Sequence, residues 1–163
     1  MLSLILFRHG KSDRGAEYGS DHERPLAKRG IKASKAMGKW LADRELVPDR
    51  AVTSSALRAR QSLELAAEAG GWDCEIEATD ALYGVSAPDV IRLARNEPSS
   101  TSRLLFTGHE PAFSYVASLL IGGGSIRLPT AAMAGIEFDD ASWSDVAPGG
   151  GRLLWLQVPR MLP

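Results

Sequence analysis

A chain of 163 residues has one ordinary domain's length, enough to bury roughly 70% of the surface of the unfolded chain and too little for a second catalytic domain, so residues 1–163 read as a single unit. Hydrophobic residues at 44% and charged residues at 24% set aside disordered, collagen-like and disulfide-scaffold chains, and a net charge of -1 gives no indication of a nucleic-acid or membrane partner. The total conceals a split: residues 1–60 hold 13 basic and 7 acidic side chains, residues 61–163 hold 6 and 13. The lone Cys74, the absence of a signal-peptide pattern around Met1 to His9 and the lack of a long apolar run predict a soluble cytoplasmic protein.

Leu2 to Phe7 is a short apolar run ending in Arg8 and His9, the pattern of a strand buried on both faces. A polar loop over 8–25 follows. From Lys28 to Arg44 the apolar positions Ala33, Ala36, Met37, Trp40 and Leu41 recur at helical spacing, with Lys28, Lys32, Lys35 and Lys39 on another face. Residues 50–53 read as a strand. Ser54 or Ser55 is expected to cap a helix carrying Ala56, Ala59, Leu63, Ala66 and Ala67 and ending near Gly70 and Gly71. Further elements are a strand near 73–78, a helix over 87–96, a strand over 103–107 and a helix from Pro111 to Ile121. Strands over 132–138 and 152–158 are expected to pair antiparallel at one sheet edge. Strands alternating with helices imply a three-layer α/β/α sandwich with a mostly parallel central sheet.

Ligands bind such folds outside the carboxyl ends of the strands. Three polar clusters follow strands: Arg8 to Ser12, Thr53 to Arg58, and Thr107 to Pro111. An Arg-His pair at a strand end is usually a solvated turn. Arg58 and Arg60, however, fall in the first turn of a helix, where the dipole disfavours cations, and such a broken local rule marks functional sites. Pro111 is placed to begin a helix, which sets His109 beside free backbone N–H groups, an anion site. Two histidines and several arginines make a phosphate-sized pocket, and guanidinium matches phosphate oxygens with paired hydrogen bonds.

Other chemistries fail on spacing. The residue six positions after Cys74 is Asp80, so the arginine of a cysteine phosphatase is missing, and Gly122-Gly123-Gly124-Ser125 does not continue as a P-loop. Only His9, His22 and His109 could serve as imidazole ligands, with no second cysteine, so neither a metal site nor a cofactor is expected. No Gly-x-Ser-x-Gly elbow occurs. Histidine is left as the credible nucleophile.

These residues resemble the histidine phosphatase (phosphoglycerate mutase-like) superfamily and, within it, the small SixA-type phosphohistidine phosphatases of bacteria. The resemblance rests on Arg8-His9-Gly10, Arg24-Pro25-Leu26 with Lys28-Arg29-Gly30, the block from Ser54 to Ser62, Leu82-Tyr83-Gly84 and Gly108-His109-Glu110-Pro111, ordered from residue 4 to about 138. It implies a phosphoglycerate mutase-like fold, with His9 as the transiently phosphorylated nucleophile. Arg8 and Arg58 would clamp the phosphoryl oxygens and His109 would complete the pocket. Arg24 resembles a further phosphate-contacting arginine, and Ser12 and the backbone of Glu110 are candidate phosphate or substrate contacts. Many superfamily members carry an acid ahead of the tyrosine. Asp80 is the carboxylate close by and the candidate proton donor, in a place where the small phosphohistidine phosphatases lack a clear acid.

Only 48 residues separate His9 from Arg58 and 50 separate Arg58 from His109, leaving no room for a large cap. The expected activity is therefore a metal-independent phosphatase acting on a phosphorylated protein, with phosphohistidine favoured. A broad small-molecule phosphomonoesterase is the alternative, and a phosphate-binding module without turnover the alternative of another class. Nucleic-acid binding by the lysine face of 28–39 is set aside as a solvated helix face.

Overall fold

The computed structural model describes residues 1–163 and contains one six-stranded sheet of order β3-β2-β4-β1-β5-β6. The strands are β1 (Leu2–Arg8), β2 (Arg50–Ser54), β3 (Glu75–Thr79), β4 (Arg103–Gly108), β5 (Met133–Phe138) and β6 (Gly151–Gln157). The first four are mutually parallel, β5 runs antiparallel to β1, and β6 runs antiparallel to β5, as the alternating pattern implied. No helix is long and apolar enough to cross a membrane.

Strand β1 shows why its apolar run is continuous. Leu2, Leu4 and Leu6 enter one hydrophobic cluster while Ile5 and Phe7 enter the other, because successive side chains point to opposite faces. Helices α1 (Lys28–Asp43) and α2 (Leu57–Gly70) cover the second face with Met37, Trp40, Leu41, Leu63 and Ala66. Helices α3 (Ala87–Arg95) and α4 (Ala112–Leu120) cover the first with Val90, Ile91, Phe113, Val116 and Leu120, and a short turn there buries Trp143, whose indole donates to the Thr101 carbonyl at 2.7 Å. The crossovers change face between α2 and α3, which places the reversal in strand order beside β1 and β4. The carboxyl ends of β1, β2 and β4 therefore open on one edge.

The buried face of α1 is rotated from the expected one. Ser34 and Gly38 are buried, whereas Ala33 and Ala36 are half-exposed. A Cβ on Gly38 would lie 2.0 Å from the Ala66 carbonyl oxygen, so α1 and α2 touch backbone to backbone and the glycine, not the alanines, marks the contact. Gly30 has the same role toward the loop after β1, since a Cβ there would stand 2.2 Å from the Lys11 carbonyl oxygen. Edge strand β3 is exposed along most of its length, and Arg50 ties it down through ion pairs with Glu75 and Glu77, a charged edge that discourages further strand pairing.

Candidate active site

Arg8 ends β1 and His9 follows it. The His9 backbone is held on both sides: its N–H donates to the Gly108 carbonyl at 3.0 Å and its carbonyl accepts from Ala131 at 3.0 Å. The Gly10 N–H donates to Ser62 Oγ at 2.9 Å, and that hydroxyl donates to the Arg58 carbonyl at 2.7 Å, so one α2 serine fixes the His9 loop relative to the Arg58 turn. Arg8, His9, Ser12, Arg24, Arg58, His109 and Glu110 all line one cavity of about 370 Å³, with Asp21 and Tyr83. Residues distant in sequence thus converge as the three strand-end clusters suggested.

The His9 ring is 5.2 Å from that of His109 between centroids. His9 Nδ1 lies 2.7 Å from the Gly10 carbonyl oxygen. A carbonyl can only accept, so Nδ1 carries the proton and Nε2 keeps its lone pair. Burial pushes the His9 imidazole down to about 3; the Gly10 carbonyl acts in the opposite direction, while His109, Arg58 and Arg8 lower it further. Burial, with Arg58 next, likewise takes His109 down to about 4 against the pull of Asp21. Both rings are neutral at neutral pH.

The α2 start departs from expectation. Ala56, not Ser54 or Ser55, is the N-cap residue, and no side chain caps the helix. Both serine hydroxyls are taken up by distant side chains instead, that of Ser54 by a cavity histidine. Ser54 Oγ is 2.8 Å from His109 Nε2, and Ser55 Oγ donates to Asp80 at 2.5 Å and lies 2.9 Å from His22 Nε2. Arg58 still falls in the first turn, buried, as the sequence suggested. The start of α4 is corrected too. Pro111 is the N-cap rather than the first helical residue, and the Glu110 carboxylate takes the Ser114 N–H at 2.8 Å and the Ser114 hydroxyl. That helix end is therefore not left open as an anion site beside His109.

Arg24 and Arg58 converge on Asp21, a residue that sequence reasoning passed over. Arg24 Nη2 donates to Asp21 Oδ1 at 2.8 Å, Arg58 Nη2 to Oδ2 at 3.1 Å, Arg58 Nη1 to the Asp21 carbonyl at 2.8 Å, and the Tyr83 hydroxyl to Oδ2 at 2.9 Å. Partial burial works against ionisation of Asp21, but the hydrogen bonds from Arg24, Tyr83 and Arg58 outweigh it and hold its carboxyl well below the usual carboxylate range. An acid in a polar loop reads as a solvated turn; its position three residues before Arg24 was the available signal. The Ser12 hydroxyl lines the cavity and accepts from Arg24, which positions that guanidinium and leaves the O–H free to donate. Arg8 is anchored through Nη1 to the Leu128 carbonyl at 3.0 Å.

Asp80 does not line the cavity. It is exposed, and its carboxylate is engaged by Ser55, which links it to the half-buried His22, packed edge-on against Tyr83, rather than to His9 or His109. The pocket thus brings together four guanidiniums, those of Arg8, Arg14, Arg24 and Arg58, with Lys11, two neutral imidazoles, and the carboxyl groups of Asp21 and Glu110, the first ionised between two arginines and the second engaged by Ser114. Fixed cations of this kind stabilise charge on the equatorial oxygens of a transferring phosphoryl group, and a neutral imidazole can attack phosphorus.

A sequence model of the Histidine phosphatase superfamily (branch 1) matches residues 4–97. An uncharacterized protein of Mycobacterium tuberculosis is 34% identical over 151 residues, covering 86% of this chain and 92% of the relative. The phosphohistidine phosphatase SixA of Escherichia coli is 26% identical over 161 residues, covering 97% of this chain and 94% of its own. Among solved structures, the SixA protein of Nakamurella multipartitia superposes with a TM-score of 0.83 at 26% identity, covering 97% of this chain and 96% of that one.

Proposed function

From the premise that this chain belongs to the histidine phosphatase superfamily, we propose that it hydrolyses phosphohistidine on a protein through a phosphoryl intermediate on His9 Nε2. In the first step the Nε2 lone pair forms the bond to phosphorus while the P–N bond to the substrate imidazole breaks, and the bonding pair returns to the substrate ring, which takes a proton from solvent. In the second, a water oxygen attacks phosphorus, the P–Nε2 bond breaks with its pair returning to His9, and inorganic phosphate leaves. Arg8, Arg24 and Arg58 hold the phosphoryl oxygens, and His109, neutral and partnered by Ser54, forms the opposite wall. The cycle calls on no metal ion.

The observation that carries the substrate class is that no carboxyl group in the pocket stands free to donate a proton to a leaving group. An alkoxide leaving group needs an acid, whereas an imidazole leaves far more readily. Asp21 is held ionised by two arginines, Glu110 is taken up by Ser114, and Asp80 is outside. SixA of Escherichia coli, a relative over nearly the whole chain, is named for the same substrate class. Rates compared on a phosphohistidine protein, a phosphoserine peptide and sugar phosphates test the reading. Phosphohistidine should win, and Asp80→Asn should leave its rate intact. Preference for sugar phosphates with Asp80→Asn crippled would refute it.

A second reading has its own observation. A mostly apolar cleft of about 600 Å³, floored by Leu82, Val85, Val90 and Phe113, shares Gly84, His109 and Glu110 with the catalytic cavity. It would suit the apolar part of a small phosphomonoester, and aryl phosphates turned over faster than any phosphoprotein would favour it.

A further inference from the structure

Next to the catalytic cavity lies a groove of about 760 Å³, twice its volume, that the reaction does not use. Its lining includes Lys11, Arg29, Lys32, Arg127 and Arg160 and no carboxylate. All five cations are exposed, and none is in an ion pair, whereas Arg24, Arg50, Arg58, Arg92 and Arg152 are all paired with carboxylates. They come from four separate places: the loop after β1, the first turns of α1, the segment before β5 and the turn after β6. Two of the six basic residues beyond position 60 are brought here although that part of the chain is strongly acidic. A lysine face on one helix needs no explanation, but convergence of unpaired cations from distant segments on one concavity does, because like charges repel and the fold must hold them together. Of the helix lysines first read as a solvated face, only Lys32 belongs to this groove; Lys28, Lys35 and Lys39 do not line it.

We propose that this groove docks an acidic segment of the phosphorylated protein substrate, adjoining the phosphorylated residue. The proposal rests on the phosphoprotein reading above and extends it to substrate selection. Lys11 and Thr130 line both the groove and the catalytic cavity, so a chain lying in the groove leads directly to His9. Its floor is aliphatic, formed by Ala33, Ala36 and Val158, with no aromatic ring on which a base could stack. Carboxylates reaching five cations over an aliphatic floor match a polypeptide better than a polynucleotide. Exposed cations act chiefly through steering and through modest pairwise attraction, so the effect is expected to be strongly salt-dependent.

The test compares wild type with the triple variant Arg29→Gln, Lys32→Gln, Arg160→Gln on three substrates: p-nitrophenyl phosphate, a phosphohistidine peptide flanked by Asp and Glu, and the same peptide flanked by Asn and Gln. Wild type should prefer the acidic peptide by roughly tenfold in kcat/KM at low salt, carried mainly by KM. The variant and high salt should each abolish that preference while p-nitrophenyl phosphate turnover stays as in wild type. Equal rates on the two peptides by wild type, with p-nitrophenyl phosphate hydrolysed, would overturn the groove proposal and leave the phosphatase reading standing. Fluorescence anisotropy with the unphosphorylated acidic peptide reads docking without turnover. Binding that the variant loses supports the groove even if neither phosphopeptide is cleaved, a result that would sink the phosphohistidine reading alone. Tighter binding of duplex DNA than of the acidic peptide at physiological salt would overturn the proposal in favour of a polynucleotide.

Discussion

Acidifying the protein from pH 7.5 to pH 5 should cost it stability through His9. In the unfolded chain a histidine titrates near 6.5, whereas burial holds the folded His9 ring at about 3. Below 6.5 the unfolded chain therefore binds a proton that the folded protein refuses, and stability falls as pH falls. One and a half pH units at about 1.4 kcal/mol each amount to about 2 kcal/mol from His9 alone at pH 5. The window is clean for carboxylates. Asp21, Asp89 and Asp139 are held below their ordinary values in the folded state, so their stabilising contributions persist above the unfolded carboxylate value and are lost only as pH falls below it. His109 adds a loss of the same sign, but it is present in both proteins compared. The assay is urea unfolding of wild type and His9→Gln at the two pH values. The variant should lose about 2 kcal/mol less than wild type on acidification. Equal losses would mean that folded His9 protonates freely, which would remove the basis for a neutral nucleophile.

Four further outcomes follow from particular contacts. Asp21→Asn removes the negative charge that Arg24 and Arg58 share, so orthovanadate should bind roughly tenfold more tightly by calorimetry; weaker binding would show that Asp21 orients the arginines more than it competes with the anion. Arg58→Lys, which keeps the charge and loses the planar fork, should lower kcat/KM by about a hundredfold, and near-wild-type activity would refute a paired phosphoryl contact. Gly30→Ala presses a methyl group against the Lys11 backbone and should displace the His9 loop, reducing kcat by about a hundredfold with little change in secondary structure by circular dichroism. Gly38→Ala forces α1 and α2 apart far from the site and should cost about 1–3 kcal/mol in urea unfolding with kcat retained, and a kcat loss would contradict that separation.

Much of this was legible from residue patterns. The unbroken apolar run of β1 is what two buried faces require, and its abrupt end at Arg8-His9 placed the site at the strand's carboxyl end. What escaped depends on contacts between distant segments. The face of α1 was set by Gly38 against Ala66, a backbone contact that hydrophobic spacing cannot register. Ser54 and Ser55 carry a good capping signature, but tertiary partners, His109 for one and Asp80 with His22 for the other, claim both hydroxyls. Asp21 becomes legible once Arg24, Arg58 and Tyr83 are known to meet there, because its one local signal, the three-residue spacing to Arg24, also fits a solvated acid. Asp80 erred in the other direction: adjacency to Tyr83 in sequence put it near the site, while its position at the start of a short helical turn leaves it outside.

The covalent intermediate is the central claim, and it can be read directly. Wild-type protein mixed briefly with a ³²P-labelled phosphohistidine protein and quenched in alkali should carry label that survives base and is lost in acid, and tandem mass spectrometry should place it on His9. His9→Ala should carry none and turn over no substrate. Turnover that persists in His9→Ala, or label on any other residue of the wild type, would contradict the account.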